Sequence, residues 1–73
     1  MKNIKLQGAT STGATNIRYD APSQSLYVDY PRGKYRYQNV PPEFVARLEG
    51  AVVGIGEILR ELRDTKLYPV EKL

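Results

Sequence analysis

The run Lys34-Tyr35-Arg36-Tyr37-Gln38-Asn39-Val40-Pro41-Pro42 fixes the point at which this chain must change from one kind of secondary structure to another. Tyr35 and Tyr37 alternate with Lys34, Arg36 and Gln38, the two-residue period of a half-buried strand. Val40-Pro41-Pro42 then ends the strand, because proline offers no N–H to a ladder and holds the preceding residue extended. Glu43 follows, a carboxylate suited to the positive end of a helix dipole. Strands before this point and helix after it are therefore expected to share the tyrosine side as their core.

Upstream, residues 15–20 and 25–30 alternate in the same way. Ile17 and Tyr19 lie on one side of the first strand, and Leu26, Val28 and Tyr30 on one side of the second. With 35–39 they make three strands separated by Ala21-Pro22-Ser23-Gln24 and Pro31-Arg32-Gly33-Lys34, both rich in turn-forming residues. Keeping apolar sides together places Tyr19 opposite Leu26, Ile17 opposite Val28, Tyr30 opposite Tyr35 and Val28 opposite Tyr37. Both connections are then four-residue loops, and Gly33 is free to adopt a left-handed conformation. On the outer side this register puts Arg18 over Tyr27, Tyr27 beside Gln38, and Asp29 beside Arg36 as an ion pair.

From Glu43 the period becomes helical. Phe44, Leu48, Ala51, Ile55, Leu59 and Leu62 form one apolar stripe, with Val45, Val52 and Ile58 at its edge. Gly50, Gly54 and Gly56 interrupt it, each costing ~1 kcal/mol relative to alanine. The expectation is a helix near 42–50 and another near 53–64, with the glycines packed closely on the sheet. The fold class is thus α+β: a three-stranded antiparallel meander followed by one kinked or two short C-terminal helices. Residues 1–14, poor in apolar groups, read as a flexible N-terminal arm in which Ile4 and Leu6 can add as an edge strand. Residues 15–66 form the domain and 67–73 a tail, of which Leu67, Tyr68 or Val70 docks on the domain edge.

At 73 residues this is one domain, with a core expected to supply only ~3–5 kcal/mol. The net charge of +3 is uneven: residues 1–40 hold six basic and two acidic side chains, residues 41–73 five and six. A basic N-terminal half points to a negatively charged partner, either nucleic acid or an acidic protein surface. The chain has neither histidine nor cysteine, which removes the commonest general base, the thiol nucleophile and the usual zinc ligands. Gly54-Ile55-Gly56 sits inside a helical pattern and is no phosphate loop. The expectation is a non-enzymatic, cofactor-free and metal-free binding protein. No apolar run approaches ~20 residues, and Met1 to Gln7 lacks a signal-peptide-like apolar region. A cytoplasmic setting is expected.

The string Asn16-Ile17, Tyr19-Asp20, Leu26-x-Val28, Gly33-x-Tyr35-x-Tyr37-x-x-Val40-Pro41 resembles the KTSC domain. This small module occurs alone in bacteria and phages and is appended to some lysyl-tRNA synthetases. The likeness continues through Phe44, Leu48, Ala51, Ile58 and Tyr68-Pro69, about residues 15–70. After Ala51 the family tends to carry a serine, a glycine and an aromatic–Asn pair, whereas this chain has Val52-Val53-Gly54-Ile55-Gly56-Glu57. No role tied to that serine carries over. Length and arm resemble, more narrowly, the small lytic-phage regulators within that family. That resemblance implies binding to host bacterial RNA polymerase, inhibition of sigma-dependent initiation and suppression of termination (antitermination), with sigma factor or an elongation factor touched only indirectly.

For such a regulator the expected contact residues are Arg18, Tyr27, Arg32, Lys34 and Arg36 on the outer face and its basic turn. Lys2 and Lys5 in the arm and Lys66 and Tyr68 near the tail are secondary candidates. Tyrosine and arginine are the residue types that most often carry interface energy. The competing reading is an RNA-binding module that uses the same basic open face. A third is self-association through strand edges, although a monomer is expected.

Overall fold

In the computed structural model, which describes residues 1–4, 13–50 and 55–73, the three expected strands form the centre of a wider sheet. They are β2 (Asn16–Asp20), β3 (Ser25–Tyr30) and β4 (Gly33–Tyr37), flanked by β1 (Lys2–Ile4) and β5 (Val70–Lys72). The five strands lie in sequence order, every neighbouring pair antiparallel. Two helices complete the α+β fold: α1 (Pro42–Gly50) and α2 (Ile55–Thr65).

The start of the arm is therefore a strand rather than a loose end. Lys2, Asn3 and Ile4 pair with Tyr19, Arg18 and Ile17, and Ile4 is buried. Leu6 and Lys5 lie outside the described residues. The tail is likewise a strand. Tyr35, Arg36 and Tyr37 pair with Lys72, Glu71 and Val70. The amides of Gln38 and Leu73, bonded to the carbonyls of Pro69 and Lys34 at 2.8 Å each, extend that pairing. Three residues are too few to show a period, and both partners are distant in sequence, so neither edge strand announces itself locally.

The β2–β3 register is the expected one: Tyr19 faces Leu26, Ile17 faces Val28 and Arg18 faces Tyr27. The four-residue loop 21–24 closes with Gln24 in a left-handed conformation, φ 54°, its amide bonded to the Ala21 carbonyl at 3.1 Å. The β3–β4 register differs from expectation by two residues. Leu26 faces Tyr37, Val28 faces Tyr35 and Tyr30 faces Gly33, so the connection is the two-residue turn Pro31-Arg32. A two-residue slip leaves every side chain on its original face, so parity cannot detect it, and the shorter turn brings Gly33 and Lys34 into the ladder. Tyr30 and Tyr35, now diagonal, still meet edge to face at 5.8 Å. Gly33 is not left-handed. It is small because Lys72 crosses it, its Cε 3.2 Å from where a Cβ would stand.

One side of the sheet carries Ile17, Tyr19, Leu26, Val28 and Tyr37, all buried, and these join Phe44, Val45 and Leu48 of α1 and Leu59 and Leu62 of α2. Val40 is fully buried at the crossing from sheet to helix. There the Tyr19 hydroxyl donates to its carbonyl at 2.7 Å, while the Val40 amide donates to the Gln24 carbonyl at 2.9 Å. Pro42 opens α1, where its missing N–H costs nothing. Gly50 ends α1 with no described atom within 4 Å of a Cβ placed there, so close packing on the described sheet does not explain it. Ala51, Val52 and Gly54, along with the side chain of Ile55, lie outside the described residues.

Candidate functional site

Both helices pack on one side of the sheet, and no described helix covers the other, open side. A row of paired residues crosses it: Asn3, Arg18, Tyr27, Arg36 and Glu71, one from each strand. The two-residue register change puts Arg36, not Gln38, beside Tyr27, so the tyrosine is flanked by two arginines. The Arg18 guanidinium lies 5.5 Å from the Tyr27 ring centroid, within cation–π range.

Both arginines are already partnered. Arg18 contacts Asp29 at 3.4 Å, and Arg36 contacts Glu71 with its Nε 2.8 Å from Oε1. The expected Asp29–Arg36 pair does not form, because Asp29 faces Lys34. Ion-paired guanidiniums that are half-buried lose little freedom on meeting a partner. Among the described residues the Arg18 Nε is shielded from solvent and has no hydrogen-bond partner, whereas the Arg36 Nε is held against Glu71. Among the described residues Arg18, Lys34 and Arg36 are matched on this face by Asp20, Asp29 and Glu71, so the described part of the open face is charge-balanced rather than basic.

The remaining candidates are scattered. Arg32 is exposed at the β3–β4 turn. Lys2 points to the helix side and pairs with Glu49 of α1 at 2.7 Å. Lys66 is exposed and left-handed at φ 54°, directly after α2. Tyr68 is partly buried and packs edge to face on Phe44 at 5.9 Å, where it closes the core. Lys5 lies outside the described residues.

Positive charge gathers instead at the helix side of the hairpin end. Arg32, Arg60 and Arg63 line a cleft of about 470 Å³ together with Tyr30, Tyr35, Tyr37 and Val70. Burial holds the Tyr37 phenol above its ordinary value; Tyr30 and Tyr35 push the same way, while Arg63 opposes them. Sequence reasoning missed Arg60, Arg63 and Tyr30 as site residues. The only local signal is the spacing of Arg60 and Arg63 on one helical face, which is common on solvated helices.

Among the described residues no group of three or more acidic, histidine or cysteine side chains is placed to hold a metal. No helix among them is long and apolar enough to cross a membrane. No family model matches the chain, and no curated protein matches it.

Proposed function

We propose that this protein is a non-catalytic docking module that binds host bacterial RNA polymerase, inhibits sigma-dependent initiation and suppresses termination. The observation that supports a docking role is the Arg18–Tyr27–Arg36 row on the open side of a sheet whose other side is filled by helices. The polymerase as partner rests on the resemblance to the KTSC-like phage regulators. A chain this small acts on a large enzyme by occupying a surface and favouring some of its states over others. Tyr27 between two held guanidiniums has the composition of an interface hot spot.

Charge balance on the face favours a protein partner over RNA. Arg18 and Arg36 would have to give up Asp29 and Glu71 to neutralise phosphates, and those carboxylates would repel the backbone. Binding of purified RNA polymerase by variants tests the reading. Tyr27→Ala removes the central ring, and the swap Arg36→Glu with Glu71→Arg keeps the ion pair while inverting its direction. Each is expected to weaken binding by about tenfold or more with the fold intact. Undiminished binding by both variants excludes the open face.

A further inference from the structure

The cleft on the helix side of the sheet has a composition that neither the core nor the docking row explains. Three tyrosines from β3 and β4 form its floor, and three arginines from the β3–β4 turn and α2 stand around it. Among the described residues no carboxylate lines it. Among the described residues Arg32 and Arg60 have no ion-pair partner, and Arg63 meets only its neighbour Asp64 at 3.2 Å, both exposed. Three like charges around one concavity repel one another, and an anion between them relieves that repulsion. Guanidiniums suit phosphate in particular, since their planar fork binds two oxygens at once. The floor adds aromatic surface from Tyr30, Tyr35 and Tyr37, of which Tyr30 and Tyr35 are only partly buried. The volume of about 470 Å³ lies in the ~300–1,000 Å³ range of small-ligand sites.

We propose that this cleft binds a nucleotide, with the phosphate held by Arg32, Arg60 and Arg63 and the base set against the tyrosine floor. The site is independent of the Arg18–Tyr27–Arg36 docking row, because the two share no residue and lie on opposite sides of the sheet. The same chemistry is offered by a free mononucleotide and by the 5′-phosphorylated end of an RNA strand.

Amide chemical shifts of the full chain, titrated with four probes, test the assignment: adenosine 5′-monophosphate, adenosine, inorganic phosphate and a 5′-phosphorylated tetrauridylate. The monophosphate is expected to move the resonances of Arg32, Tyr35 and Arg63 saturably, and adenosine is expected to leave them in place. Arg60→Gln with Arg63→Gln, both at exposed helix positions, is expected to weaken binding by about tenfold or more without altering the rest of the spectrum. Arg32→Gln repeats the test from the opposite rim. Tighter binding of the tetranucleotide than of the monophosphate assigns the site to strand ends; equal binding assigns it to free nucleotides; both outcomes uphold it. The proposal is overturned by no shift up to about 10 mM monophosphate, by inorganic phosphate binding as well as the monophosphate, or by shifts confined to Arg18, Tyr27 and Arg36.

Discussion

Replacing Tyr19 with phenylalanine removes a single oxygen from the point where sheet becomes helix. The ring stays buried, so packing is kept. The hydroxyl's bond to the Val40 carbonyl at 2.7 Å is lost, in a residue only 4% exposed, next to a fully buried valine. A buried acceptor left unpaired costs ~1–3 kcal/mol, a large share of the ~3–5 kcal/mol expected of a core this small. At 2 kcal/mol the melting temperature should fall by about 8–16 °C. Urea unfolding followed by circular dichroism reads the free energy directly. The pH dependence adds a second arm. Burial, then Glu43 and Asp20, raise the Tyr19 phenol above its ordinary value of 10.0. Above that value the unfolded chain loses the proton while the folded chain keeps it, so stability declines as pH rises toward the folded value. Tyr19→Phe should remove its share of that decline while leaving the share of Tyr37, which is raised too. A stability loss under about 0.5 kcal/mol, outside the usual cost of an orphaned buried acceptor, would refute the assigned role of this bond.

Two further substitutions test the elements that extend the sheet. Ile4→Ala should cost ~2–5 kcal/mol in a urea titration if β1 belongs to the core, and almost nothing if the arm is loose. Lys66→Gly should stabilise the fold by up to ~1 kcal/mol in thermal melts, because the residue after α2 is left-handed and glycine adopts that conformation without strain.

The parts of this fold that were legible in the sequence are those with a repeating local signal. Alternation at Ile17–Tyr19 and Leu26–Val28 is long enough to set faces and the β2–β3 register. The Val40-Pro41-Pro42 stop marks α1 at its first residue. The rest depends on contacts that no local window contains. β1 and β5 are three residues each, and their partners are the two outer strands of the central meander. Parity could not separate the two β3–β4 registers, and that slip decides whether Tyr27 lies between two arginines. The described part of the open face is balanced rather than basic for the same reason, because β5 brings Glu71 there to meet Arg36. The cleft was invisible for the same reason: Arg60 and Arg63 reach the tyrosine floor only when α2 is laid against the hairpin.

The chain's lack of cysteine permits a direct footprint of the proposed docking face. A single cysteine is placed either at Asn16, exposed on the open side, or at Ala46, exposed on α1, and its alkylation rate is followed by mass with and without purified bacterial RNA polymerase. Protection at position 16 in a stable complex, with position 46 still reactive, is the outcome expected of a sheet face pressed against the polymerase. Equal reactivity at position 16 with and without the enzyme, or no complex, would contradict it.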